Sequence, residues 1–214
     1  MPPPRRDRDR RPGRRPPFRD PKPLILIVCE GQNTEPQYFR GLSNDCRNPR
    51  VRIEVAREHG VPKTLVEAAK QHKQRSRAEA SRENDSNLLY DSIWCVFDVD
   101  EHPHIPDAEQ MARDNGIELA ISNPCFELWL LLHFRDQPGM HHRDVIRQLL
   151  KKHDPAYDKS VDFRIYSAHH RDATSRAERI HESAKWDGEP GRNPSTTVYQ
   201  VAKLITDETT PGAT

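Results

Sequence analysis

Three acids in this chain stand where carboxylates do chemistry. Glu30 follows the apolar run Leu24-Ile25-Leu26-Ile27-Val28-Cys29, and Asp98 and Asp100 close the run Ile93-Trp94-Cys95-Val96-Phe97-Asp98-Val99-Asp100. Carboxylates gathered in one crevice repel one another unless a cation lies between them. Hard oxygen donors, without a cluster of histidines or thiols, suit Mg²⁺ or Mn²⁺. One or two such ions activate water and stabilise charge on a leaving oxygen, which is the chemistry of phosphodiester hydrolysis. Glu127 is a further candidate, because it is embedded in Phe126, Leu128, Trp129 and Leu130. An unpaired carboxylate there is costly, so it must find a cationic side chain or a metal. His102, His104 and His133 are candidate general acids or bases.

The elements that carry these residues follow from hydrophobic patterning. A short apolar run without polar alternation reads as a strand buried on both faces, as in a parallel sheet between helices. Ligands bind outside the carboxyl ends of such strands, so Glu30, Asp98 and Asp100 are expected to face one crevice. Arg50 to Val55 alternates polar and apolar, as an edge strand does, and Ile117 to Ile121 gives a fourth strand. Thr34 and Gln37 are spaced as a capping box, with Pro36 in the first turn of a helix running to about Leu42. Pro62 opens a long helix whose apolar face fades past about Arg77, and Pro106 to Asn115 is a short helix stopped at Gly116. Phe126 to Phe134 is too apolar all round for a surface helix and is expected in the core. Helices are expected at Asp144–Lys152, Ala173–Lys185 and Ser195–Thr206.

Glu30-Gly31 and Asp98-Val99-Asp100 resemble the Toprim domain, in which a Glu follows the first strand of a small parallel sheet and an Asp-x-Asp follows a later one. The chain is similar over a longer span to the RloB-like family of bacterial proteins. The residues that carry this are Val28-Cys29-Glu30-Gly31, Thr34-Glu35-Pro36, Tyr38-Phe39, Val96 to Asp100, Ser122 to Trp129 and Asn193-Pro194-Ser195-Thr196, within roughly residues 24 to 205. The resemblance implies an α/β fold, with a small parallel Toprim-like (Rossmann-like) sheet flanked by helices and a C-terminal helical extension. It also implies a nuclease on DNA or RNA, in restriction or abortive-infection loci, beside a partner ATPase. Toprim nucleases with two metals place another acid about four residues after the first Glu. Glu35, the matching candidate ligand, lies five residues after Glu30. The expected metal ligands are thus Glu30, Asp98, Asp100 and Glu35, and the expected catalytic residues Glu30, Asp98, Asp100 and Glu127.

Composition sets the outer limits. The 214 residues are 34% hydrophobic and 31% charged, a polar chain with a modest core. No run approaches the roughly 18 apolar residues of a membrane span, and no apolar stretch of signal-peptide length follows the N-terminal arginines, so the expected compartment is the cytoplasm. Four cysteines lack Cys-x-x-Cys spacing, and Cys29 and Cys95, inside predicted strands, are expected to behave as small hydrophobes. The predicted organisation is an arm over 1–23, an α/β core over 24–134, a helical extension packed on it over 135–208, and a tail over 209–214.

Charge is divided unevenly. Residues 1–23 hold nine basic and three acidic residues, a net of +6, so with +1 overall the remainder carries −5. The arm is rich in Pro and Arg and too polar to bury itself, the usual footprint of polyanion binding or of a solubilising tail. Two functions of other classes stay open: a non-catalytic adaptor for nucleic acid or an ATPase, and a phosphotransfer enzyme on small nucleotides. Against the phosphatase form of the latter, His102 stands where a small residue is usual. A Gly-x-x-x-x-Gly-Lys phosphate loop is also absent from the sequence. If the arm contacts phosphates, deleting residues 1–23 lowers the log–log salt slope of duplex binding by about 0.9 per lost contact. Filter binding over a salt series measures it, and an unchanged slope leaves a solubilising tail.

Overall fold

The computed structural model describes residues 22–55, 62–99 and 105–206. Most of the predicted arm, the tail, Asp100, His102 and His104 lie outside the described residues.

Five strands form one sheet in the order β2-β1-β3-β4-β5. They are β1 (Ile25–Cys29), β2 (Val51–Val55), β3 (Ser92–Asp98), β4 (Glu118–Asn123) and β5 (Ser195–Thr196). The first four run parallel and β5 pairs antiparallel to β4. All five residues of β1 are buried, as are Ile93 to Phe97 of β3, the expected pattern for strands covered on both faces. β2 alternates half-buried and exposed positions at the sheet edge.

Alternation along β1 and β3 divides the core in two. Ile25, Ile27, Cys29, Trp94 and Val96 face one layer, while Leu26, Val28, Ile93, Cys95 and Phe97 face the other. The second layer is α2 (Pro62–Glu83) and α3 (Ile105–Asn115), contributing Leu65, Val66, Ala69, Ala108 and Ala112. The first layer is α1 (Thr34–Asp45), α4 (Phe126–Leu132), α5 (Arg143–Leu150), α6 (His170–Trp186) and α7 (Val198–Thr206). One apolar cluster therefore runs from Ile25 to Ile205. Every residue of α4 is buried, as its uniform apolarity requires.

Two local expectations, the capping box and the start of the last helix, are corrected, while the polar end of α2 is as expected. The Thr34–Gln37 capping box does not form, because tertiary partners claim both side chains: Thr34 Oγ1 donates to the Lys159 carbonyl, and Gln37 Oε1 accepts from the Val161 amide. Past Arg77 α2 runs on to Glu83 as a largely exposed helix end, with Ala80 buried, and just before it the buried Ser76 Oγ donates to the Leu88 carbonyl. Ser195 does not open the last helix. Ser195 and Thr196 form β5, Thr196 Oγ1 lying 2.9 Å from Ser122 Oγ, and α7 begins at Val198.

No helix among the described residues is long and apolar enough to cross a membrane.

Candidate metal centre

β1 is flanked by β2 on one side and β3 on the other, so the chain leaves β1 in one direction and returns on the opposite side. Open α/β sheets bind ligands at the carboxyl ends of strands where the order reverses in this way. Glu30 follows β1 and Asp98 ends β3 at that place, and the Glu30 amide donates to the Val96 carbonyl at 3.0 Å. A cleft of about 350 Å³ opens there, lined by Glu30, Glu35, Asp98 and Glu127 together with Arg143, Arg147 and Lys159. Four of the five predicted acids thus meet in one cleft; the fifth, Asp100, lies outside the described residues.

Glu35 joins them despite its longer spacing. The chain between Glu30 and α1 turns through Gly31, and the Glu35 carboxylate folds back over it. A Cβ at Gly31 would stand 2.1 Å from Glu35 Oε2, so a larger residue there would push the Glu35 carboxylate out of this position. Burial pushes the Glu35 carboxyl up to about 7, and the nearby Glu127 and Glu30 carboxylates push the same way, against hydrogen bonds from the Glu35 and Gly31 amides.

Asp98 is under the same stress. Burial raises its carboxyl well above the ordinary range, the Glu35, Glu127 and Glu30 charges add to this, and Arg143 opposes them. Arg143 Nη2 stands 3.8 Å from Asp98 Oδ2, while Oδ1 is buried without a hydrogen-bond partner among the described residues. Such an orphaned oxygen costs about 1–3 kcal/mol.

Glu127 has the cationic partner that its apolar surroundings demand. Burial alone would raise its carboxyl, but Arg147 Nε donates to Oε1 at 2.8 Å and Tyr157 Oη at 3.1 Å, and the net effect holds it below the usual range. Thr34 Oγ1 lies 3.3 Å from the same Tyr157 hydroxyl, tying α1 into the network. Burial and the adjacent Glu127 charge keep the Tyr157 phenol protonated.

His133 does not reach the cleft. It sits in the aromatic core with Nε2 at 3.1 Å from Tyr38 Oη and Nδ1 at 3.0 Å from the Trp129 carbonyl, and burial lowers it to about 3. It is a neutral packing residue. Sequence reasoning missed Arg143, Arg147, Tyr157 and Lys159. The amphipathic period of α5 places Arg143 and Arg147 on one face at i and i+4, but nothing local marks that face as the one turned to the acids.

The donor set fits a hard divalent cation in chemistry: carboxylate oxygens, one of them buried and orphaned, in a cluster whose repulsion a cation would relieve. It is not a closed ligand shell. Among the described residues no three Asp, Glu, His or Cys side chains are grouped closely enough to hold an ion.

The model of the family described as RloB-like protein matches residues 25–205, so the chain belongs to that family. No curated protein and no solved structure matches it.

Stability without metal should fall as pH rises from 4.5 to 7. In that window native Glu35 keeps a proton that the unfolded chain, with its ordinary value of 4.5, releases. The loss attributable to Glu35 is on the order of 3 kcal/mol. Urea midpoints in chelator for the native chain and for Glu35→Gln isolate it, since the two should converge at pH 4.5 and separate at pH 7 in favour of the variant. Parallel pH profiles would show that the Glu35 carboxyl is not shifted.

Proposed function

We propose that this RloB-like protein is a metal-dependent nuclease of Toprim type, acting on DNA or RNA in antiphage defence beside a partner ATPase. The observation that carries the reading is the gathering of Glu30, Glu35, Asp98 and Glu127 at the carboxyl ends of β1 and β3, with Asp98 Oδ1 buried and unsatisfied among the described residues. Glu30, Asp98, Asp100 and Glu35 would hold Mg²⁺ or Mn²⁺. Such an ion, when bound, supplies an activated water and stabilises charge on the leaving oxygen.

The remaining roles belong to the protein's own side chains. Glu35, whose carboxyl is pushed up to about 7, exchanges its proton near neutral pH in the metal-free cleft and would give it up to a bound cation. Glu127, kept ionised by Arg147 and Tyr157, fixes the wall of the cleft nearest α5. Arg143 and Lys159 present positive charge to a phosphate entering the cleft.

A non-catalytic adaptor is the second reading. It is favoured by the absence of a closed ligand group among the described residues and by the two arginines that already face Asp98 and Glu127.

Cleavage of plasmid and tRNA with Mg²⁺ or Mn²⁺, with and without a candidate partner ATPase, separates the two. Glu30→Gln should lower cleavage by at least about 100-fold, a barrier change of about 2.7 kcal/mol, while nucleic-acid binding persists. Calorimetry should show metal affinity lost in Asp98→Ala. No cleavage by the native chain under any of these conditions, with full phage protection by Glu30→Gln, establishes the adaptor.

A further inference from the structure

Three cations line the cleft, and two of them face carboxylates. Arg147 is bonded to Glu127, and Arg143 stands 3.8 Å from Asp98. Lys159 lines the same cleft without a carboxylate partner among the described residues.

Its backbone is unusual. Lys159 has φ +58, in the left-handed region that a residue with a Cβ adopts at a cost of roughly 1–2 kcal/mol. The segment is held there from α1: Thr34 Oγ1 donates to the Lys159 carbonyl at 3.1 Å, and Gln37 Oε1 accepts from the Val161 amide at 2.7 Å and from Ser160 Oγ at 3.1 Å. α1 also carries Glu35. Lys159 and Glu35 are therefore mounted on one frame, and a backbone held in a costly conformation beside a cleft is a pattern associated with positioned functional groups.

We propose that Lys159 binds a backbone phosphate of the nucleic-acid substrate and sets its register against the carboxylates, an inference that rests on the nuclease reading above. A polyanion approaching four carboxylates needs a compensating charge that those acids have not already taken. An ammonium on a long stem provides it as a point charge, without demanding a bidentate geometry, and so reads phosphate and not sequence.

Fluorescence anisotropy with the full chain in chelator, over a salt series with labelled single-stranded and duplex oligonucleotides, tests this apart from cleavage. The variants are Lys159→Gly, which relieves the left-handed backbone, and Lys159→Arg, which keeps the charge. Lys159→Gly should melt no lower than the native chain yet bind about tenfold more weakly at low salt. Its log–log salt slope should fall by about 0.7 on single strands or 0.9 on duplex, equally for all sequences, while Lys159→Arg keeps the native slope. In cleavage the loss should fall more on KM than on kcat. Unchanged affinity and slope in Lys159→Gly overturn the assignment, as does equal loss in Lys159→Arg, which marks a packing role. A native chain that binds with the lysine-dependent slope but never cleaves removes the nuclease reading and leaves the phosphate contact standing; a native chain that binds no nucleic acid removes both.

Discussion

Mutual repulsion of carboxylates at one end of a parallel sheet is the constraint around which the rest of this structure is arranged. β1 and β3 are neighbours and run the same way, so the acids that follow them necessarily emerge together. Layers of helix on both faces then withdraw water from them, and burial without compensation costs several kcal/mol per charge. The protein answers from a distant part of the chain: α5 turns Arg143 and Arg147 toward Asp98 and Glu127, and the 157–161 segment adds Tyr157 and Lys159. Helices after residue 135 thus share the apolar cluster of the strands and also complete the electrostatics of the cleft.

The parts legible in the sequence are those fixed by local pattern. Uninterrupted apolar runs mark β1 and β3 because burial on both faces leaves no position for a polar residue, and α4 is recognisable for the same reason. Gly116 at φ +56 ends α3 where the sequence expects it to end. The errors fall where a long-range partner outcompetes a local one. Thr34 and Gln37 have the spacing of a capping box, yet their hydrogen bonds go to residues more than 120 positions away. Ser195 and Thr196 are too few to read as a strand and are defined by their pairing with Ser122 and Asn123.

The site divides along the same line. Glu30 and Asp98 are legible because an acid ending an apolar run is a local signal. Glu35 meets them through the Gly31 approach, which converts a spacing one residue too long into a shared cleft. The need of Glu127 for a cation is legible from its apolar neighbours, but the identity of that cation is not, since Arg147 is one polar residue among many on an amphipathic helix.

Charge within the cleft links these features to the proposed chemistry. Among the described residues of the cleft, with every group ionised, Glu30, Glu35, Asp98 and Glu127 set four negative charges against the three positive ones of Arg143, Arg147 and Lys159, leaving one negative charge in excess. Burial and mutual repulsion relieve that excess by favouring protons on Glu35, whose carboxyl is pushed up to about 7, and on Asp98, raised well above the ordinary range, so the metal-free cleft takes up protons where a cation would otherwise sit. A divalent ion in their place would offset the carboxylates with two positive charges and make the cleft more receptive to a phosphodiester. On this reading the arginines of α5 keep the fold tolerable before the ion arrives, and the same positive charges favour phosphate once it has.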